Sequence, residues 1–131
     1  MDSAAFDEKV RHFERTMPAQ CPILYSMDII ASKWKIPIIW YLMLRDGQHY
    51  NELKRTVSGI TNTMLTKSLR ELEADGLLQR RDHGGVPPSV TYHLTGSGRE
   101  FIGVMGELFE WGKKMQVRRS VRAAPMRGAA P

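Results

Sequence analysis

YNELKRTVSGITNTMLTKSLRELEADG, residues 50–76, is the stretch that decides the fold. Its first part, Tyr50 to Val57, reads as a short helix. Leu53 and Val57 are its apolar positions, and Lys54 and Arg55 are polar. Ser58-Gly59 is a turn signal. Thr61 then stands where a helix N-cap is wanted, with a hydroxyl free to accept an orphan backbone N–H. Met64, Leu65, Leu69 and Leu72 recur at helical spacing and make one apolar stripe. Asn62, Thr63, Thr66, Lys67, Arg70 and Glu73 fall on the other face. Gly76 sits at the usual position just past a helix end.

Downstream the helical period stops. Leu77 to Asp82 reads as a short strand with imperfect alternation. Gly84-Gly85 and Pro87-Pro88 make a loop that neither a helix nor a central strand would accept. Val90, Tyr92 and Leu94 alternate with Thr91 and His93, the period of a strand. Two strands joined by a Gly/Pro loop make a hairpin. Thr95 caps a last helix in which Phe101, Met105, Leu108, Phe109 and Met115 line one face, with Val104 and Trp111 beside it. The pattern fades after Met115. Residues 1–115 therefore read as one domain and residues 116–131 as a basic, disordered tail.

Upstream, Phe6, Val10, Phe13 and Met17 recur at helical spacing, and Pro18 stops that helix. It is too short to be stable alone and must dock on something. Cys21-Pro22 opens a second segment, which Ser32-Lys33-Trp34 breaks. Ile36 to Leu44 is apolar nearly all round, so a helix there, with Pro37 near its start, should be the buried centre. Asp46-Gly47 ends it. No internal repeat is found.

Composition narrows the classes. The chain has 131 residues, 42% hydrophobic and 25% charged, ordinary values for a globular domain. The longest apolar run is too short to span a bilayer. The polar, acidic start shows no export signal, so a cytoplasmic protein is expected. Cys21 is the single cysteine, so an intrachain disulfide is excluded. The net charge is +5, but its placement says more. Residues 33–81 carry nine basic and five acidic residues, residues 113–131 six basic and none acidic, and the two other segments are net acidic. A basic middle between acidic segments suits a polyanion on one face. A solvated surface of mixed charge fits the same counts.

The element order is more specific. A short helix, a glycine turn, a longer helix with a polar face and a two-stranded hairpin make a winged helix-turn-helix. The class is α+β, mostly α, with a two-stranded β-hairpin wing and N- and C-terminal helices for dimerisation. The major groove is wide enough for one helix. Asn62, Thr63, Thr66 and Lys67 would reach base edges from the first turns of residues 61–75, and the free N–H groups at Thr61 to Thr63 suit phosphate. Arg70, Lys54 and Arg55 would grip backbone phosphates, and the wing, with Arg81, His83 and the tip at 83–88, would touch the adjacent backbone or minor groove. The bland alternative is an amphipathic surface helix.

A chain of this length has a radius of gyration near ~14 Å, while successive half-sites lie about 34 Å apart, so a homodimer is the natural solution. Phe6, Val10 and Phe13 on the first helix and Phe101, Met105, Leu108 and Phe109 on the last are the expected dimer faces. Packing of those helices on their own domain is the alternative.

These residues resemble the HxlR-type branch of bacterial winged-helix transcription regulators, relatives of the MarR group. The matching pieces are Cys21-Pro22, Lys33-Trp34, Tyr50 to Arg55, Gly59-Ile60-Thr61, Leu65, Leu69 to Glu73, Gly76-Leu77, Arg80, Val86-Pro87-Pro88, Val90, Tyr92, Leu94-Thr95 and Gly98-Arg99. They run in order from residue 21 to about residue 112. The resemblance implies a homodimer on an inverted-repeat operator in double-stranded DNA, acting as a repressor or an activator, with repression the expected sign. Ser89 and Thr91 depart from it: members usually carry a basic and an acidic residue there, so a wing-to-phosphate contact at Ser89 is in question. Ser32 stands where a glycine is common.

The resemblance also implies a thiol switch at Cys21 that senses electrophiles or oxidants. A cysteine just before a helix start meets positive potential, which favours thiolate. A small buried hydrophobe is the plain alternative. His12, His49, His83 and His93 show no metal-like spacing. No nucleophile–base pair, phosphate-cradling glycine loop or metal motif appears, so neither an enzyme, a cofactor nor a metal is expected. Trp34, Trp40 and Tyr41 are aromatic enough to line a small-molecule pocket, with core packing the simpler role for Trp40. The expected function is thus sequence-specific DNA binding with thiol or small-molecule control. The rival is a winged-helix protein–protein adaptor that does not bind specific DNA.

Overall fold

The computed structural model describes residues 2–16 and 20–120. Met17 and Pro18, the expected end of the first helix, and residues 121–131 of the expected tail lie outside the described residues. The chain divides into two compact units, Met1–Ala31 and Ser32–Pro131.

The first unit holds α1 (Ser3–Thr16) and α2 (Pro22–Ile30). Asp2 caps α1 by accepting the Ala5 N–H at 2.7 Å. Glu8 pairs with Arg11 and Arg15 along its surface. No residue of either helix is buried: Phe6, Phe13, Ile23 and Leu24 are all exposed.

The second unit runs α3 (Lys35–Leu44), β1 (Gln48–His49), α4 (Tyr50–Thr56), α5 (Asn62–Ala74), β2 (Leu78–Asp82), β3 (Val90–Leu94) and α6 (Gly96–Ser120). The expected apolar helix is its centre. Ile38, Ile39 and Leu42 of α3 are wholly buried with Leu53 of α4 and Leu65 and Leu72 of α5. Each such side chain contributes roughly 2 kcal/mol by leaving water. The stripe read from Met64 to Leu72 is the face that closes this core.

The wing differs from the two-stranded hairpin of the sequence reading. It is a three-stranded antiparallel sheet in the order β1-β3-β2, with Gln48 opposite Tyr92 and Leu78 opposite Leu94. Two residues are too few to show an alternation, so β1 leaves no trace in the sequence. What holds it is the buried Gln48. Its amide donates to the Tyr41 and Arg45 carbonyls, each at 2.8 Å, and so satisfies the C-terminal end of α3.

Helix α5 stops as its sequence requires. Gly76 takes φ 81°, and the Gly76 and Leu77 N–H groups donate to the Glu73 and Leu72 carbonyls, a Schellman motif. Thr95 starts α6: its hydroxyl accepts the Gly98 N–H at 3.1 Å and donates to the Gly76 carbonyl.

Helix α6 corrects the boundary at residue 115. It continues to Ser120, because Gln116, Arg118 and Arg119 are good helix formers and the two arginines sit favourably at the negative end of the dipole. Met105, expected on a dimer face, is 6% exposed and belongs to the core of its own unit, and Phe101 is half-buried. The helix packs on α3 and β3, so part of its apolar stripe is spent there. Leu108 and Phe109 stay exposed, Phe109 stacking on Trp40 with ring centroids 6.2 Å apart. Among the described residues, no helix is long and apolar enough to cross a membrane.

Candidate nucleic-acid interface

The site is built on α5. Thr61 is its N-cap, and its hydroxyl accepts the Met64 N–H at 3.1 Å. With Leu65, Leu69 and Leu72 turned inward, Asn62, Thr63, Lys67 and Arg70 are exposed, and Thr66 is half-buried. These five and Glu71 line a shallow groove of about 550 Å³ along the helix. Helix α4 braces this element. Its last turn carries half-buried Lys54 and exposed Arg55, where cations complement the helix dipole.

The nine basic residues of the middle segment sort into two groups. Lys35 is 5% exposed and pairs with Glu71 at 2.7 Å, Arg45 pairs with Glu52, and Lys33 lies over the Trp34 ring. These three are committed internally. Lys54, Arg55, Lys67, Arg70, Arg80 and Arg81 take part in no ion pair among the described residues. They remain to meet an anion. Arg70 and Arg80 also line a second groove of about 370 Å³ between α5 and the sheet, with Tyr50, Glu73 and Tyr92.

The hydrogen bond from the Lys35 ammonium holds the Glu71 carboxyl below its ordinary value of 4.5, with the charges of Lys35 and Lys67 adding to it. A lowered carboxyl contributes stability that is complete above its unfolded value and lost as it protonates. Glu71→Gln is therefore expected to melt lower than the parent at neutral pH, and the gap should close as pH falls below 4.5. Thermal melts of both proteins across that range check it. A gap independent of pH would show that the pair does not act through the charge of Glu71.

The wing is organised by residues whose role the sequence did not disclose. The Thr91 hydroxyl is buried between two imidazoles, His83 Nε2 at 2.6 Å and His93 Nε2 at 2.7 Å. His93 Nδ1 lies 3.3 Å from Asp46, whose other oxygen accepts the Leu94 N–H. Thr91, one of the two departures from the family pattern, is thus an internal tie and not a surface contact. His83, read as a DNA contact at the hairpin tip, has its Nε2 engaged with Thr91. Ser89 is half-buried, and its backbone closes the tip by bonding His83 and Gly84. On the wing, Arg80 and Arg81 are exposed on β2.

Cys21 lies in the first unit. It is half-buried at the N-cap of α2, and its thiol makes no capping hydrogen bond.

Known proteins resemble this chain in sequence and fold. The pattern of the HxlR-like helix-turn-helix matches residues 29–120. An uncharacterized HTH-type transcriptional regulator of Halalkalibacterium halodurans is 38% identical over 116 residues, 88% of this chain and 98% of its own. The reduced form of the redox regulator HypR superposes with a TM-score of 0.69 at 38% identity, covering 76% of this chain and 98% of that one. The reduced form of the transcriptional regulator YodB from B. subtilis superposes with a TM-score of 0.65 at 28% identity, over 72% of this chain and 93% of that one.

Proposed function

The chain belongs to the HxlR-like helix-turn-helix family of DNA-binding transcription regulators, and from that premise we propose that it represses transcription as a homodimer bound to an inverted-repeat operator. The observation that carries this reading is the two-faced α5. Its inner leucines are buried, and Asn62, Thr63, Lys67 and Arg70 stand exposed on its other face. A helix of that design fits the major groove, where amide and hydroxyl groups read base edges and cations hold phosphates. Lys54, Arg55, Arg80 and Arg81 flank it for the backbone. The dimer faces are the exposed apolar residues of α1, Phe6, Val10 and Phe13, and of α6, Leu108 and Phe109.

Selection of bound sequences from a pool of random duplexes tests the reading. The expected product is an inverted repeat whose half-site centres lie about 34 Å apart, one helical turn. Recovery of unrelated sequences would favour the adaptor instead.

Control through Cys21 is a second part of the proposal. It is supported by the free thiol at the start of α2 and by the likeness to HypR, solved in oxidized and reduced forms. With one cysteine per chain, two Cys21 thiols would join into an intersubunit disulfide, passing two electrons and two protons to an oxidant such as diamide. A small thiol could replace one of them as a mixed disulfide. Mass spectrometry after mild diamide treatment should find one of these products, with a change in DNA affinity. An unmodified Cys21 and unchanged binding would remove thiol control from the account.

A further inference from the structure

Tyr50 opens α4, outside the set of residues expected to meet DNA, yet its hydroxyl meets three oxygens of α5. The Asn62 backbone carbonyl is 3.1 Å away, Asn62 Oδ1 3.0 Å and Thr66 Oγ1 3.3 Å. The two asparagine oxygens have no proton to give, so the tyrosine donates its single proton to them. Its oxygen is then left to accept, and the only donor among the three is the Thr66 hydroxyl. Both side chains on the reading face are therefore fixed in polarity. Asn62 turns its carbonyl oxygen to Tyr50 and has its two amide N–H donors left for a ligand. Thr66 spends its proton on Tyr50 and has an oxygen lone pair and a methyl left.

We infer that the Tyr50 hydroxyl sets the base preference of α5 by holding Asn62 as a donor and Thr66 as an acceptor. The inference rests on the reading of α5 as the groove helix. A donor-only amide suits base edges rich in acceptors, guanine N7 and O6 or thymine O4. It does not suit adenine, which an amide reads with its oxygen and nitrogen together. Tyr50 itself need not touch DNA and is a positioning residue.

The test uses the full chain, with random-duplex selection repeated for the parent, Tyr50→Phe, Asn62→Ala and the double variant. The position read by Asn62 is the one whose preference disappears in Asn62→Ala. The parent should select guanine or thymine there. Tyr50→Phe frees the amide to turn, and adenine should gain about tenfold relative to the parent's base. In the Asn62→Ala background, Tyr50→Phe should change nothing further at that position, since coupled residues are not additive. An unchanged preference in Tyr50→Phe overturns the inference, and so does adenine at that position in the parent. Asn62→Asp gives a reading that does not depend on the stability of Tyr50→Phe. It offers acceptors only and should shift the position toward cytosine, whose N4 donates; retained guanine or thymine overturns the inference. A parent that selects no sequence overturns the regulator reading and this inference with it, which separates the two failures.

Discussion

Lys67→Ala together with Arg70→Ala is expected to weaken DNA binding about a hundredfold, with each side chain supplying about 1.4 kcal/mol of binding free energy. Both residues are exposed on α5 and without ion pairs among the described residues. Neither supports the core, so the melting temperature should stay within a few degrees of the parent. The dependence of affinity on salt should also become shallower, by roughly one unit of slope for each phosphate no longer neutralised. Fluorescence anisotropy of the two proteins on one duplex, over a range of salt, measures both effects. A double variant that binds as the parent does would place the interface elsewhere than on α5.

Gly98→Ala should cost about 3 kcal/mol of stability and lower the melting temperature by about 10 °C. The reason is space. A Cβ at Gly98 would stand 2.3 Å from the Leu77 carbonyl oxygen and 3.2 Å from Leu94 Cδ2. That carbonyl accepts the Thr95 N–H at 3.1 Å, so it cannot turn away without loosening the start of α6. Gly96 is the control. It lies in the same turn with nothing within 4 Å of an added Cβ, and Gly96→Ala should be neutral or slightly stabilising. Thermal melts by circular dichroism compare the two. Equal melting of both variants would mean that α6 can lift off Leu77 at little cost.

The readable and unreadable parts of this protein divide on a physical line. The α4–turn–α5 element was legible because each of its signals is local: Thr61 caps, the leucine stripe has the helical period, and Gly59 and Gly76 take the positive φ angles, 82° and 81°, that glycine adopts without strain. The β2–β3 hairpin was legible for the same reason, through its Gly/Pro loop and the alternation at Val90, Tyr92 and Leu94. What stayed hidden depends on residues far apart in the chain. Lys35 counted only as one more cation of the basic middle until Glu71 came to meet it from α5. Thr91 reads only as an uncharged departure from the resemblance, but its hydroxyl joins His83 to His93. Gln48 and β1 are too short to carry a pattern. Tyr50 read only as the start of a short helix, and its hydroxyl gains a role through Asn62 and Thr66, 12 and 16 residues away. Met105 was on the right face of α6, but periodicity cannot say whether an apolar face meets its own core or a second chain.

The most direct test of the central claim is an anisotropy titration of the full chain. It would use the DNA upstream of its own coding sequence and an unrelated duplex of equal length, from low to physiological salt. A second protein ending at Ser120 would remove the charge of Arg122 and Arg127. A specific regulator should prefer the upstream duplex by about a thousandfold at physiological salt, as a dimer, with or without the last residues. Equal affinity for the two duplexes, falling together as salt rises and lost with the tail, would contradict the claim that α5 reads DNA sequence.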